Sequence, residues 1–267
     1  NYYYVDDGSN TNDVYTPCAV GNNGNDGLSP STPKLTLSNL LFTYDLGPGD
    51  VVFIDAGTYA YGVVIPPADA DGAPGNPIRY VGVTNSFVTR FTGPAGYKNG
   101  IILTNARNVE LRGISFRGYT NGVRIVHGTG SSVTNNVVSL CELSSNNLNG
   151  AVILSNGSDG NRIVSNTIFG GVGAYQDQGV NLIDGDRNLV SNNRINGNGT
   201  GVYVQGSARS NLVVRNQIYS NNGTGVAVYD PASRNRIVSN VIDGKGGYQD
   251  TGVYIQYSGG NEIRGNV

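Results

Sequence analysis

A pair of short motifs recurs from about residue 100 to the end of the chain. One motif has the form Gly-Val-x-Val, as at residues 201–204, and the other has the form Ile-x-x-Asn-x-Ile, as at residues 237–242. The pair returns at intervals of roughly 22 to 30 residues. A unit of that length buries almost no apolar surface by itself, so successive units have to stack and share a core. The repeat therefore predicts a solenoid.

The spacing of apolar residues inside the motifs predicts that each motif is a short β-strand. Successive side chains of a strand point to opposite faces, so aliphatic residues at alternate positions should face inward. One pair of inward columns is predicted to contain Val123, Ala151, Val180, Val202, Val226 and Val253, with Ile125, Ile153, Leu182, Val204, Val228 and Ile255 beside them. A third column is Val133, Ile163, Val190, Val213, Ile237 and Ile263. These columns predict an all-β fold, a single-stranded parallel β-helix in which each unit forms one coil.

The asparagine of the second motif is predicted to form a ladder at one corner of the coils. Asparagine tolerates left-handed backbone, and its amide can pass hydrogen bonds from one coil to the next. We therefore interpret this ladder as structural and not catalytic. Its predicted members are Asn136, Asn166, Asn193, Asn216, Asn240 and Asn266.

The same alternation predicts an unusually apolar outer surface on the Gly-led strands. A solvated face should be mostly polar, so apolar and tyrosine columns indicate a cover, which is either a loop of this chain or another molecule. Tyrosine can stack on sugar rings or anchor a protein interface. The predicted binding residues on this surface are Tyr203, Tyr229, Tyr254, Ile183 and Leu154.

Charge and hydropathy argue against two classes of partner. The formal net charge of -2 and the isoelectric point near 5.3 leave no positive surplus for gripping a nucleic acid backbone. No stretch approaches the roughly 20 consecutive apolar residues that cross a bilayer as a helix. Neither nucleic-acid binding nor membrane insertion is expected.

Several features are those expected of an extracellular or cell-surface protein. The chain starts at Asn1 without an apolar leader, as a secreted protein does after removal of its signal peptide. Sequons at Asn156, Asn198 and Asn222 are candidate glycosylation sites. Cys18 and Cys141 could form a disulfide in an oxidising compartment, or Cys141 could be a buried free thiol of a ladder.

The repeats resemble those of the right-handed parallel β-helix superfamily, which includes pectate lyase-like and chondroitinase/alginate lyase-like proteins. The resemblance covers nearly the whole chain, and it includes the N-terminal segments at residues 24–30, 36–41, 48–54 and 56–59. It implies a short N-terminal capping helix that leads into the first coil. We therefore expect residues 1–50 to form a cap and entry segment and residues 51–267 to form one continuous domain of coils.

The resemblance also implies where to look for catalysis. Members that act on acidic polysaccharides usually perform β-elimination, which needs a base, there a Lys or Arg, and groups that stabilise the developing negative charge. The candidates here are Lys98, Arg107, Arg112 and Arg124, together with the single histidine, His127. Ordinary solvated side chains are the alternative for each of them. No convincing catalytic site emerges from the sequence, so enzymatic activity stays open.

Metal binding has only indirect support in the sequence. Asp6, Asp7, Asp13 and Asp26 fall in polar segments where they could hold calcium, but their spacing lacks the dense alternation of a calcium loop. The alternative is that they stabilise turns. No cofactor is required by the fold, and calcium is the one candidate.

The function expected from these features is a structural or adhesive module that assembles end to end or laterally with copies of itself. The chain stops at Val267 inside a predicted strand, so either the sequence is a fragment of a longer protein or the open coil stacks on a neighbouring subunit. The alternative functions are a lyase that cleaves an acidic glycan by β-elimination, or a glycan-binding module without turnover.

Overall fold

The computed structural model of the protein describes residues 1–84, 88–93, 98–128, 132–146, 152–155, 157–170, 176–244 and 249–267, and for residues 152, 153 and 155 only the backbone. In this part of the chain the strands wind into a parallel β-solenoid with three long sheets. One coil contributes one strand to each sheet in the order A, B, C. The predicted all-β fold is confirmed.

Sheet A has ten strands, and each pairs in parallel with the strand of the next coil. In spatial order they are β1 (Tyr2–Val5), β2 (Val51–Ile54), β5 (Ile78–Val81), β8 (Val109–Arg112), β12 (Val137–Ser139), β16 (Arg162–Val164), β19 (Leu189–Ser191), β22 (Leu212–Val214), β25 (Arg236–Val238) and β28 (Glu262–Arg264).

Sheets B and C have eight strands each. Sheet B consists of β3 (Gly57–Ala60), β6 (Thr89–Thr92), β9 (Ser115–Arg117), β13 (Glu142–Ser144), β17 (Thr167–Phe169), β20 (Arg194–Asn196), β23 (Gln217–Tyr219) and β26 (Val241–Asp243). Sheet C consists of β4 (Val63–Ile65), β7 (Asn99–Thr104), β10 (Asn121–Val126), β14 (Val152–Ser155), β18 (Gln176–Ile183), β21 (Asn198–Gln205), β24 (Thr224–Tyr229) and β27 (Thr251–Gln256). A small additional sheet pairs β11 (Val133–Thr134) with β15 (Ser158–Asp159).

A short helix, α1 (Leu37–Thr43), packs on the first coils. Its N-cap is Thr36, whose hydroxyl oxygen accepts a hydrogen bond from the backbone N–H of Asn39 at 3.2 Å. Leu37 and Leu40 are buried in the common core, so the helix covers apolar side chains that no preceding coil covers. A single 3-10 turn, η1 (Pro67–Asp69), follows β4. The predicted capping helix is confirmed.

The core consists of columns of side chains that stack from coil to coil. In sheet B the inward column runs from aromatic to aliphatic residues, with Phe91 paired to Phe116 and Ile195 paired to Ile218. The Gly-led strands of sheet C stack Val180, Val202, Val226 and Val253 in register. Ala151 lies outside the described residues, and in β14 it is Val152 whose backbone pairs with Val123 and Val180. The predicted register is therefore wrong by one residue in that strand.

Asparagine ladders line the turns between the sheets. At the turn from sheet A to sheet B, each backbone N–H of Asn166, Asn193, Asn216 and Asn240 donates to the side-chain oxygen of the next asparagine, ending at Asn266. The left-handed backbone is taken by the preceding residue, for example Asn192 with φ 55° and Arg215 with φ 57°. The asparagine itself is therefore selected by its amide group and not by its backbone conformation.

Asn136 does not belong to this ladder. Its N–H donates to the side-chain oxygen of Asn161 at 3.0 Å, in a second ladder at the turn from sheet C to sheet A. The position equivalent to Asn166 in that coil is occupied by Cys141, whose N–H donates to the Asn166 side chain. Placing Asn136 in register with Asn166 was therefore wrong. The second ladder continues through Asn188, Asn211, Asn235 and Asn261.

Of the two alternatives for the cysteines, the structure shows the free thiols and not the disulfide. Cys141 is fully buried in the core, whereas Cys18 is exposed, and both are free thiols. Burial raises the pKa of the Cys141 thiol to about 12. No helix in the described part of the chain is long and apolar enough to span a membrane.

Candidate functional site

The outer face of sheet B carries several polar and charged side chains that lie close together. Because its strands are in register, alternate side chains form two outward columns along the solenoid. The first column contains Thr58, Arg90, Ser115, Glu142, Thr167, Arg194, Gln217 and Val241. The second contains Ala60, Thr92, Arg117, Ser144, Phe169, Asn196, Tyr219 and Asp243.

A buried carboxylate lies in the middle of this face. The Oε1 atom of Glu142 accepts hydrogen bonds from Arg117 Nε at 2.8 Å, from Arg117 Nη2 and from Ser115 Oγ at 3.1 Å. Ser144 Oγ lies 3.4 Å from the same oxygen. An ion pair with this many donors is held in one geometry, so Glu142 fixes the guanidinium of Arg117 on the sheet.

Two coils further along, the face opens into a groove. One depression of about 280 Å³ is lined by Arg194, Arg215 and Gln217 with neighbouring asparagines, and a second of about 280 Å³ is lined by Gln217, Tyr219, Val241 and Asp243. The two share the lining residue Gln217, so they are adjacent. We call this feature, defined by Arg194, Arg215, Gln217, Tyr219 and Asp243, the sheet B groove.

Arg194 and Tyr219 are in direct contact in the sheet B groove. Arg194 Nε donates a hydrogen bond to the phenolic oxygen of Tyr219, and the guanidinium carbon lies 5.3 Å from the centroid of the ring. The cation therefore faces the one atom of Tyr219 that can exchange a proton. An anionic group in the first depression would meet both guanidinium groups, and the contact between Arg194 and Tyr219 places the phenol beside it. The carboxylate of Asp243 lines the second depression.

A second surface feature is the tyrosine cluster, Tyr203, Tyr229 and Tyr254, on the outer face of sheet C. The ring centroids of Tyr203 and Tyr229 are 5.1 Å apart, and those of Tyr229 and Tyr254 are 5.6 Å apart. Ala227 pairs with both Tyr203 and Tyr254 and is buried beneath the rings. A small residue between two large ones lets the three rings join into one surface.

Another cavity, of about 440 Å³, lies where α1 meets the first coils. Among its lining residues only Asp7 is charged, and that carboxylate accepts hydrogen bonds from the backbone N–H groups of Ser9 and Thr58. The cavity thus lacks convergent polar groups, and the sheet B groove is the better candidate site.

The sequence of the coils matches the model of a known family. The family model described as a right-handed β-helix region matches residues 81–267, which is well over half of the chain. This chain belongs to the right-handed β-helix family. No curated protein sequence matches the chain.

Solved structures share the β-helix fold at low sequence identity. A mutant of the periplasmic alginate epimerase AlgG superimposes with a TM-score of 0.58 and 15% identity, covering 82% of this chain and 60% of the epimerase chain. A rhamnogalacturonan lyase superimposes with a TM-score of 0.53 and 16% identity, covering 99% of this chain and 87% of the lyase. The chain therefore spans less than two thirds of the epimerase, and these likenesses establish the fold.

The β-helix does not bring the predicted catalytic residues together. Arg112 lies on sheet A, where it is 3.9 Å from Glu110, and Arg124 lies on the outer face of sheet C. Arg107 lies in the turn between those sheets and pairs with Asp71 at 2.6 Å. Lys98 is exposed just before β7, and His127 follows β10. A single elimination site formed by these residues is therefore not present.

Two other predicted sites are also corrected by the β-helix. Leu154 is fully buried in the core and cannot bind a partner, whereas Ile183 lies on the outer face of β18, paired with Gln205. Asn198 is fully buried in a third ladder, where its amide donates to Asn221 and accepts from Gln176, so it cannot carry a glycan in this fold. Asn222 is exposed, and Asn156 lies outside the described residues.

The predicted metal ligands separate into two groups. The carboxylate of Asp26 accepts hydrogen bonds from Leu28 N and Thr32 Oγ1, which lower its pKa, so it stabilises its own turn. Asp6, Asp7 and Asp13 lie near Asp55 at the start of the solenoid. Among the described residues no three His, Cys, Asp or Glu side chains are placed to hold a metal ion by themselves.

The sequence interpretation missed the sheet B groove. Its residues come from neighbouring coils, such as Arg194 and Tyr219, which are brought side by side only by the register of β20 with β23. The strands of sheet B are three residues long there, so their outward residues show no pattern that distinguishes them from turn residues.

Proposed function

We propose that this β-helix binds an acidic polysaccharide along the outer face of sheet B and cleaves it by β-elimination. The observation that carries the proposal is the sheet B groove, in which two arginines line one depression and Tyr219, in contact with Arg194, lines the adjacent one. Arg194 and Arg215 come from neighbouring coils and line the same depression, which suits a ligand that repeats its own negative charge along its length. The alginate epimerase and the rhamnogalacturonan lyase, which share the fold, are both named for polysaccharides, and this supports the choice of substrate class.

The groove contains the groups that β-elimination needs. A base removes the proton on the carbon beside the uronate carboxylate, the electron pair forms a carbon–carbon double bond, and the glycosidic carbon–oxygen bond breaks. Arg194 and Arg215 would stabilise the negative charge that develops on the carboxylate. Tyr219, with Arg194 donating to its oxygen, is the candidate base, and it would return the proton to the departing sugar oxygen.

Binding can be tested by calorimetric titration of alginate, pectate and chondroitin, with a neutral glucan for comparison. Removing a charge-assisted hydrogen bond costs about 1.5–3 kcal/mol, so R194A is expected to weaken binding at least about tenfold. R209A is the matched control, because Arg209 is an exposed arginine in the turn between sheets C and A. Equal losses in both variants would contradict the assignment of the groove.

Turnover can be tested by the absorbance of the unsaturated uronide. Replacing Tyr219 with Phe keeps the ring and removes the oxygen, so we expect kcat to fall by about 10²-fold or more with little change in KM. Y257F, at an exposed tyrosine that follows β27, is the control and should keep full activity. Undiminished turnover in Y219F would exclude Tyr219 as the base.

The tyrosine cluster supports a second candidate function, glycan binding without turnover. Three contacting rings form an apolar platform on which sugar rings can stack. The predicted self-assembling module and the extracellular location stay predictions. An acidic polysaccharide ligand favours a location outside the cytoplasm, and scattering at high concentration would detect self-assembly.

A further inference from the structure

The first coil contains an acidic cluster, Asp6, Asp7, Asp13 and Asp55, that the sheet B proposal does not use. Asp6 follows β1 directly and is fully buried. Within the described part of the chain, neither carboxylate oxygen of Asp6 has a hydrogen-bond partner. Both oxygens of Asp13 are likewise shielded from solvent and without a partner there. Four buried carboxylate oxygens without a donor are costly unless something else neutralises them.

The other two carboxylates of the cluster, Asp55 and Asp7, accept hydrogen bonds from backbone N–H groups. Asp55 accepts from the backbone N–H groups of Val14, Tyr15 and Thr16 at 2.7, 2.6 and 2.5 Å. Asp7 accepts from Ser9 N at 2.8 Å and from Thr58 N at 2.9 Å. By contrast, no donor lies in hydrogen-bonding geometry with the carboxylate oxygens of Asp6 or Asp13 in the described part of the chain.

The electrostatic surroundings of Asp6 are negative. Burial and then the neighbouring carboxylates of Asp13, Asp55 and Asp7 raise the pKa of Asp6 to about 7. Lys34 is buried nearby on the chain segment that pairs with Val5, but its Nζ donates to the carbonyl oxygen of Asn23 at 3.2 Å. The cluster therefore brings carboxyl groups together at a place where the oxygens of Asp6 and Asp13 are shielded from solvent.

We propose that Asp6 and Asp13 bind a calcium ion that ties the N-terminal loop to the first coil. The two carboxylates offer four oxygen ligands, and calcium takes six to eight, with backbone carbonyls and water supplying the others. Imidazole and thiolate ligands are absent from the cluster, which disfavours zinc. Magnesium keeps several of its waters, so a pair of solvent-shielded carboxylates suits it less.

The position of the two residues gives the ion a structural role. Asp6 ends the first strand of sheet A, and Asp13 lies in the loop that Asp55 holds through residues 14–16. An ion between them would fasten the loop at a second point. Calcium binding would then stabilise the folded chain by mass action, because the unfolded chain has no such site.

The experiment uses the whole chain, stripped of metal with a chelator and then titrated with calcium or terbium. The chain has no tryptophan, so sensitised terbium luminescence would have to come from tyrosine, and Tyr59 donates a hydrogen bond to the carbonyl oxygen of Asp55. We expect saturable terbium emission that calcium displaces, and a higher Tm with calcium than with chelator. D13N should weaken calcium binding at least about tenfold, whereas D26N, a carboxylate engaged in its own turn, should leave it unchanged.

The proposal is overturned if wild-type protein gives neither terbium emission nor a calcium-dependent Tm. It is also overturned if D13N and D26N bind calcium equally well. A third outcome also overturns it. If calcium does not change the Tm of the wild type and D13N is more stable than the metal-free wild type, Asp6 and Asp13 share a proton instead of binding calcium. The circular dichroism spectrum of D13N checks that the variant is folded, and D6N gives an independent second test.

Discussion

At the residue scale, the solenoid depends on amide side chains that satisfy the polar atoms of its turns. The side-chain oxygen of Asn193 accepts from the backbone N–H and the amide of Asn166, and its amide donates to Ile163 O and to Asn216 Oδ1. All four hydrogen-bonding positions of the side chain are therefore used in a site that water does not reach. A carboxylate could not donate and a hydroxyl could not span the coils, which explains why asparagine recurs.

Replacing Asn193 with Ala is expected to destabilise the protein by about 2–4 kcal/mol, because it leaves buried donors and acceptors of neighbouring coils without partners. Urea denaturation with an unchanged slope would measure the loss. N222A is the control: Asn222 is exposed, so its change should stay within about 0.5 kcal/mol. Similar effects of both substitutions would show that the ladder is not a stabilising unit.

The two cysteines give a second prediction at this scale. Cys141 is fully buried and its pKa is raised to about 12, so almost no thiolate is present at neutral pH, whereas Cys18 is exposed. A thiol-specific reagent should therefore modify one cysteine in the native protein and both after denaturation. If neither cysteine reacts after denaturation without a reductant, the two cysteines form a disulfide and this prediction is wrong.

At the scale of the element, the glycine of the Gly-Val-x-Val motif in sheet C is required by the close approach of sheet B. A Cβ atom on Gly201 would lie 2.6 Å from the carbonyl oxygen of Gly225 and 2.7 Å from Cγ2 of Ile218. Gly179 and Gly225 meet the equivalent isoleucines, Ile195 and Ile242, in the same way. The Gly-Val-x-Val motif thus marks the place where two sheets come closest.

G201A is expected to lower the free energy of unfolding by about 1–3 kcal/mol, because the backbone and a core methyl group would have to move to accommodate the new methyl group. Gly259 provides the control, because a Cβ there meets nothing within 4 Å and its φ is not in the left-handed region. Thermal unfolding followed by circular dichroism should separate the two variants. An equal Tm for G201A and wild type would contradict the close approach.

The sequence predicted the strands wherever the repeat was regular, and it failed where one residue was inserted. In β14 the motif is displaced by one position, and a slip of one residue exchanges the two faces of a strand. Leu154 was therefore predicted to be outside, although it is in the core. Asn136 was misplaced for a related reason, because the coils contain several asparagine ladders. Residues 133–138 have the apolar spacing of the ladder between sheets A and B, although Asn136 belongs to the ladder between sheets C and A.

The candidate site was much less predictable than the fold. Inward positions are restricted to aliphatic residues by packing, which leaves a periodic signal in the sequence. Outward positions such as Arg117 and Glu142 have no such restriction, and their pairing across 25 residues follows only from the register of β9 with β13. The tyrosine cluster could be predicted because bulky rings at outward positions of regular strands stand out.

At the scale of the whole molecule, each coil contacts mainly its neighbours, so the stability should be nearly a sum over coils. Leu189 pairs with Leu212, and Asn188 and Asn211 occupy the same position in one ladder. Deleting residues 189–211 therefore joins Asn188 to Leu212 and reproduces the natural junction. We expect this shortened chain to fold, with a smaller dependence of the unfolding free energy on urea because less surface is buried.

The same deletion separates the fold from the proposed function. It removes Arg194 and places Gln217 in the equivalent position of the shortened sheet B, so the chain should remain a β-helix yet bind acidic glycans more weakly. Deleting residues 189–200 instead would join a sheet C strand to a sheet A position, and that variant should not unfold cooperatively. If both deletions fold equally well, the stacking of equivalent coils does not determine this structure, because only the first deletion keeps every ladder in register.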